Sequence, residues 1–349
     1  MTYAELDANP EAAIAAAIAG DVTGVSVQTS GSTGRPRHAL IASSALRASA
    51  EASISRLGGA GQWLLALPAD RIAGVQVLAR SLLAGTTPLR MPSGSFTAAG
   101  FVDAARPMLA GASVPCFVSL VPTQVQRILA DATAAQLLGE FAAVLIGGAA
   151  MSSAEMPRNG IATYGSTETS GGVIYDGIPL DGTEYHLDDE GRILISGPTI
   201  FDRYADGGED ETILTDGVRW LRMPDIGAIV HNKLEVIGRA DDVIVSGGYK
   251  LDPGAVERAL KDVADVSDAA VLGVPSDEWG TAVGALIVSA TGYRPGRAEL
   301  REALSGALPR FGVPRAIAFV DDLPRLEGGK LDRVTALEIL SADESEGSL

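Results

Sequence analysis

A chain of 349 residues, 46% of them hydrophobic, can bury a sizeable interior and is long enough for two or more domains. Its formal net charge of −17 argues against nucleic acid and against an anionic membrane surface as partners, so any anionic substrate must be met by a local positive patch. A single cysteine excludes an internal disulfide, no apolar run reaches the roughly 18 residues of a membrane span, and the N-terminus lacks a secretory signal, which together predict a cytoplasmic protein.

Residues 10–20 read as an Ala-rich helix starting near Pro10-Glu11, and Gly24 to Gln28 as a strand. The next nine residues, Thr29-Ser30-Gly31-Ser32-Thr33-Gly34-Arg35-Pro36-Arg37, hold four hydroxyls, two glycines and two arginines. Glycines let a backbone approach a ligand closely, successive N–H groups form an anion nest, and arginines carry permanent charge for phosphate oxygens. The loop suits a polyphosphate, and it is not a Walker A loop because no Gly-Lys-Ser/Thr closes it. His38 to Leu57 reads as a helix with apolar residues at Leu40, Ile41, Leu46 and Ile54, completing a strand–loop–helix that would aim amides at a phosphate.

Further along, Trp63 to Leu67 reads as a strand followed by a helix near Gly74–Ala84. Cys116 to Val121 reads as a second such strand, followed by a helix near Thr123–Ala130. Cys116 itself sits in the apolar run Val114–Val118 and reads as a buried structural thiol. Phe141 to Ile146 is a third strand and ends at Gly147-Gly148. This alternation predicts an α/β fold, with mainly parallel sheets covered by helices and ligands beyond the strands' carboxyl ends.

The texture changes near residue 173. Arg192–Ser196, Trp220-Leu221 and Ala228–Val230 read as short β segments of a smaller β subdomain, about 174–238. After Asp241-Asp242, strands alternate with helices at Pro253–Val263 and Arg297–Ala307, giving a small mobile α+β domain over 241–349 behind a larger one over 1–240. The acidic tail from Ser341 to Leu349 is expected to fray.

Four more segments complete the pattern: Tyr164-Gly165-Ser166-Thr167-Glu168; Arg222 to Gly227; Ile237 to Asp242, continuing to Ser246-Gly247-Gly248-Tyr249-Lys250; and Gly328-Gly329-Lys330-Leu331-Asp332-Arg333. In this order, from residue 24 to 333, they resemble the adenylate-forming superfamily of acyl-CoA synthetases, adenylation domains and luciferases. The resemblance implies that a carboxylate attacks ATP to give an acyl-adenylate and pyrophosphate, and that a thiol, usually of CoA, then displaces AMP. It implies ATP, Mg²⁺ and CoA, and the following roles. Thr29, Ser30, Gly31, Ser32, Thr33, Gly34, Arg35 and Arg37 would hold the β- and γ-phosphates. Glu168 would coordinate Mg²⁺, and Thr167 and Ser166 beside it would lie at the α-phosphate. Tyr164, with Gly165 following it, would stack on adenine, and Gly147-Gly148-Ala149 would line the acyl and adenine pocket. Asp225 would accept from the ribose hydroxyls with Arg239 nearby. Asp241 would be the hinge of the terminal domain, and Lys330 would bridge the substrate carboxylate and the α-phosphate.

The sequence also departs from that superfamily. Arg37 stands where a lysine usually closes the loop, and Met223-Pro224 where Thr-Gly usually precedes the aspartate. Only 28 residues precede Thr29. The resemblance implies a shortened N-terminal subdomain, with an apolar face open to a partner such as a second copy in a homo-oligomer. Within the superfamily, the shortened form with Leu67–Gly74 and Ser119–Gln124 is similar to the o-succinylbenzoate–CoA ligases of menaquinone biosynthesis, and the Ala-rich, Lys-poor composition resembles their actinobacterial versions. That implies a small aryl dicarboxylate substrate whose second carboxylate needs a cation. Arg80 is the favoured residue and Arg71 the second; nine apart, they could face similar directions on a helix. A ligase for another aryl or fatty acid, one that loads a carrier-protein thiol, and a non-catalytic nucleotide binder stay open at this point.

Overall fold

The computed structural model describes residues 2–6, 9–29, 36–149, 151, 155–240, 242–276, 278–325 and 331–346, with side chains described as far as Ala342. The chain divides into two compact units. The larger comprises Met1–His186, Leu194–Met223 and Ile229–Leu234; the smaller comprises Leu187–Ile193, Pro224–Ala228 and Glu235–Leu349.

The larger unit is built on a seven-stranded sheet in the order Ile178–Pro179, Gly171–Tyr175, Gly160–Ser166, Ala143–Ile146, Cys116–Leu120, Gln62–Leu65, Leu89–Arg90. The last five of these are mutually parallel; Gly171–Tyr175 pairs antiparallel with Gly160–Ser166, and Ile178–Pro179 pairs antiparallel with Gly171–Tyr175. Helices Ile72–Leu83, Ala98–Ala110, Pro122–Leu129 and Ala132–Leu138 lie in the crossovers, as the alternation of strands and helices predicts. Cys116–Leu120 and Ala143–Ile146 are buried at every position, because parallel strands covered on both faces carry near-continuous apolar runs, broken here only by Ser119. Phe101, Met108, Val118, Leu120, Val125, Ile128 and Val144 interlock in the core between sheet and helices. Cys116 is buried there, and burial pushes its thiol up, consistent with a structural role.

A second sheet of the larger unit joins Tyr3–Glu5, Gly24–Gln28, His38–Ala42 and Arg203–Tyr204. It corrects one expectation. His38–Ala42 is a strand, antiparallel to Gly24–Gln28 with Gln28 opposite His38, and the helix begins only at Ser43 and runs to Arg56. Ala39, Leu40 and Ile41 are buried in succession, a run that fits a strand as readily as a helix. Gly24 is needed for the pairing: a Cβ there would lie 1.9 Å from the Ile41 carbonyl oxygen. From His38 the chain therefore continues as a strand and does not enter a helix N-terminus.

Trp220-Leu221 and Ala228–Val230, expected as separate short segments, belong to one 13-residue strand, Val218–Val230. Pro224 lies inside it, and its carbonyl accepts the Ala240 N–H at 2.8 Å.

In the smaller unit, Val266–Ser276 and Gly280–Ser289 pair antiparallel and Ala316–Val320 adds in parallel. Helices Pro253–Lys261 and Arg297–Leu304 cover one face, where Val256, Leu260, Leu300 and Leu304 meet Val271, Ala285 and Ile287. The helix Arg333–Glu346 covers the other, where Ala336 and Leu340 meet Leu272, Val274 and Leu286. The expected fraying from Ser341 is corrected as far as Glu346: that stretch is helical because the same helix is anchored by buried Ala336 and Leu340. Residues 347–349 lie outside the described residues. Among the described residues, no helix is long and apolar enough to cross a membrane.

Candidate active site

The carboxyl ends of Ala143–Ile146 and Gly160–Ser166, parallel neighbours, carry Gly147-Gly148-Ala149 and Thr167-Glu168 to the same edge of the large sheet. Gly147 fits there because a Cβ would sit 2.5 Å from the Thr163 hydroxyl, and Gly148 adopts φ +83°. Tyr164 lies in the strand itself, opposite Ile174.

The turn after this strand is clamped from several sides. The Ser166 N–H donates to the Thr169 hydroxyl at 2.8 Å, and that hydroxyl donates to the Gly171 carbonyl at 2.7 Å. Ser170 holds φ 56°, its carbonyl accepting from Ser49 Oγ at 2.9 Å and Gln76 Nε2 at 2.8 Å, and its own hydroxyl donating to the Thr199 carbonyl at 2.6 Å. The Glu168 N–H donates to Ser166 Oγ at 3.2 Å, and its carbonyl accepts from the Phe201 N–H at 2.8 Å. A backbone fixed at this many points holds the Glu168 carboxylate at a defined place without relying on its own rotamer alone.

That carboxylate has a partner no sequence motif marks. The Tyr204 hydroxyl donates to Glu168 Oε1 at 2.8 Å. Burial first, and then the charge and hydrogen bond of Glu168, push the Tyr204 phenol well above its ordinary value. Over the same ring, 3.5 Å from its centroid, lies the Arg37 guanidinium. Arg37 in turn donates through Nε and Nη2 to the two oxygens of Asp206 at 2.8 and 2.7 Å, and through Nη1 to the Glu209 carbonyl at 3.0 Å. The Arg37 guanidinium, with the Gly208 N–H, holds the Asp206 carboxyl down at about 2.

Thr29 and Arg37 close the base of the hydroxyl-rich loop. The Thr29 N–H donates to the Arg37 carbonyl at 2.8 Å, and the Arg37 N–H donates to the Thr29 hydroxyl at 3.1 Å. Ser30, Gly31, Ser32, Thr33, Gly34 and Arg35 lie outside the described residues.

Arg71 and Arg80 separate, which corrects the expectation of a shared direction. Arg71 is the N-cap of helix Ile72–Leu83 and reaches the Gln28 carbonyl at 3.5 Å and Asp70 at 3.8 Å. Arg80 lies in that helix's last turn, and at about 100° per residue nine positions point opposite ways. Its side chain turns inward: it is 4% exposed, its guanidinium sits 4.2 Å from the Trp63 ring centroid, and its Nε donates to the Gln76 carbonyl at 2.8 Å. Nη1 has no hydrogen-bond partner among the described residues, and burial pulls the guanidinium below its ordinary value.

In the smaller unit, Asp225 and Arg239 lie one residue from the bonded pair Pro224 and Ala240. The Arg239 carbonyl accepts from the Asp242 and Val243 N–H groups at 3.0 and 2.8 Å. Asp241 and Lys330 lie outside the described residues. The residues flanking the second of these, Arg325 and Leu331, bridge antiparallel.

Glu168 and Thr167 offer oxygen donors only, the chemistry of a hard cation. Among the described residues, no three His, Cys, Asp or Glu side chains gather at one point. A single anchored carboxylate suits Mg²⁺, which keeps waters and takes further oxygens from a bound phosphate.

The AMP-binding enzyme family matches residues 25–205, and the AMP-binding enzyme C-terminal domain matches residues 255–330. The chain belongs to the AMP-binding enzyme family. This AMP-binding enzyme is 37% identical over 331 residues to a probable 2-succinylbenzoate–CoA ligase of Mycobacterium tuberculosis, covering 92% of this chain and 85% of that protein. It is 28% identical over 329 residues to the 2-succinylbenzoate–CoA ligase of Listeria monocytogenes, covering 87% of this chain and 68% of the other. In fold it is similar to the o-succinylbenzoate CoA synthetase of Bacillus subtilis solved with its acyl-adenylate intermediate: TM-score 0.75, 24% identity, 90% of this chain and 69% of that one. ATP-bound MatB from Rhodopseudomonas palustris matches with TM-score 0.73 and 23% identity, covering 90% of this chain and 67% of that one. The mixed α/β architecture is that of the adenylate-forming enzymes.

Proposed function

We propose that this AMP-binding enzyme activates o-succinylbenzoate with ATP, forming an acyl-adenylate, and transfers the acyl group to CoA in the cytoplasm, as menaquinone biosynthesis requires. The observation that carries the reading is the 37% identity, running through 92% of the chain, to a probable 2-succinylbenzoate–CoA ligase.

In this reading the loop from Thr29 to Arg37 takes the β- and γ-phosphates, with its mouth set by the paired Thr29 and Arg37 backbones. Glu168 would hold a magnesium ion, with Thr167 and Ser166 at the α-phosphate; when bound, the ion supplies positive charge against the phosphate oxygens. Tyr164 and Gly165, with Gly147-Gly148-Ala149, shape the adenine and acyl pocket. Asp225 accepts from the ribose hydroxyls, with Arg239 on the neighbouring strand. Arg80 meets the carboxylate that is not activated. Its support is the unpartnered Nη1 of a guanidinium held away from water, where an anion strengthens most. Arg71, already engaged by Asp70 and Gln28, is the weaker candidate.

The direct test incubates the protein with ATP, Mg²⁺, CoA and o-succinylbenzoate and detects adenylate and thioester by mass, alongside pyrophosphate exchange over a panel of acids. Exchange that depends on o-succinylbenzoate and ignores benzoate and octanoate is expected. Exchange with a monocarboxylic acid alone would replace the substrate assignment.

A second outcome follows from the hinge role of Asp241. Proline fixes φ near −65°. Asp241→Pro is therefore expected to spare adenylate formation and to slow thioester formation, followed as separate half-reactions in rapid quench. Equal loss in both steps would remove the hinge role.

A further inference from the structure

The geometry points to Tyr204 as a positioning residue that ties the phosphate loop to the metal-holding carboxylate, with Arg37 acting through it as an anchor and not as a phosphate ligand. This rests on the reading of Glu168 as the magnesium carboxylate.

One segment makes all the connections. Arg203–Tyr204 pairs antiparallel with His38–Ala42, with Tyr204 opposite Ala39, and the Ala205 N–H donates to the His38 carbonyl at 2.8 Å. The strand that leaves the phosphate loop is thereby fastened to residues 203–205. Just before them, the Phe201 N–H bonds the Glu168 carbonyl and Thr199 accepts from Ser170, so the same segment is fastened to the metal turn. Tyr204 sits where the two attachments meet, its hydroxyl on Glu168 Oε1 and its ring face under Arg37.

Three of the five N–H donors of Arg37 and one face of its plane are engaged. Two donors go to Asp206 in a bidentate pair, one to the Glu209 carbonyl, and the flat face rests on the ring. A lysine, a single point charge without a planar fork, could not make this set of contacts. The arginine therefore serves the loop by fixing its exit strand.

The experiment measures ATP binding by titration calorimetry, without acid, over a series of magnesium concentrations. Tyr204→Phe keeps the ring beneath Arg37 and removes only the hydroxyl. It is expected to raise the magnesium concentration for half-maximal ATP binding by on the order of tenfold, as loss of a charge-assisted hydrogen bond to a metal ligand does. Saturating magnesium should restore most pyrophosphate exchange. A loss of general stability would not shift the magnesium requirement in this way. Asp206→Asn, at an exposed position that does not threaten folding, is expected to weaken ATP binding because it loosens the anchor. If Arg37 were instead a phosphate ligand restrained by Asp206, the same variant would bind ATP more tightly. Unchanged or tighter binding by Asp206→Asn, or an unchanged magnesium requirement in Tyr204→Phe against a magnesium-dependent wild type, overturns the inference alone. Wild-type ATP binding that ignores magnesium overturns the Glu168 reading and takes the inference with it.

Discussion

Replacing Lys330 with alanine is expected to slow adenylate formation by on the order of a hundredfold or more. The reaction brings a carboxylate against a phosphorus ringed by negative oxygens. Two unit charges 4 Å apart interact by about 4 kcal/mol at an effective dielectric near 20. A protein whose own charge is −17 offers no general relief, so cations placed at the reacting atoms must cancel that repulsion locally. Removing a single preorganised donor from comparable charge-stabilising sites costs roughly 3–4 kcal/mol, which sets the magnitude. Pyrophosphate exchange is the measurement. Exchange at the wild-type rate in Lys330→Ala would end the proposed bridging role.

Arg80→Met is expected to have two effects of opposite sign. A guanidinium 4% exposed, with Nη1 unpartnered, carries an uncompensated desolvation cost in the free enzyme. Methionine fills similar volume against Trp63 without that cost, so the melting temperature should rise, by analogy with apolar replacements of buried ionic groups that stabilise by about 1–4 kcal/mol. In the substrate complex the same change leaves a carboxylate buried without its cation, a loss of roughly 3 kcal/mol or more. The KM for o-succinylbenzoate should therefore rise about a hundredfold, since 1.4 kcal/mol is tenfold. Steady-state kinetics over the acid panel, with thermal melts of the same preparations, separates the two effects. Unaltered preference for the dicarboxylate would remove Arg80 from the acyl site, and a lowered melting temperature would show the residue to be purely structural. A site that costs stability and confers specificity is the usual compromise of binding pockets.

Much of this was legible in the sequence, and the failures have physical causes. Parallel strands buried on both faces, such as Ala143–Ile146, announce themselves as unbroken apolar runs, and Gly147-Gly148 mark where this one ends. His38–Ala42 was misread for the same reason: a run buried on both sides has no period, so helix and strand look alike. Val218–Val230 was cut in two by Pro224, whose local meaning is a turn and whose place here is inside a long strand. Arg71 and Arg80 read as equivalent cations because sequence spacing does not report burial. Tyr204 and Asp206 were invisible for a different reason. Arg37 and Asp206 are 169 positions apart, and an aromatic and an acid in a Gly-rich turn carry no local sign of a partner that distant. The folded chain supplied what the motif did not show, the residues that hold Glu168 in place.

The helix Arg333–Glu346 follows every strand whose open side it covers. Until it has been synthesised, Leu272, Val274 and Leu286 have nothing to bury that side against, and the three strands form a sheet with one greasy surface facing water. Completion of the smaller unit on the ribosome must therefore wait for residues near Leu340 to emerge. Truncations that remove this helix should leave a nascent product prone to self-association and dependent on chaperones, even with every reacting group ahead of the cut intact.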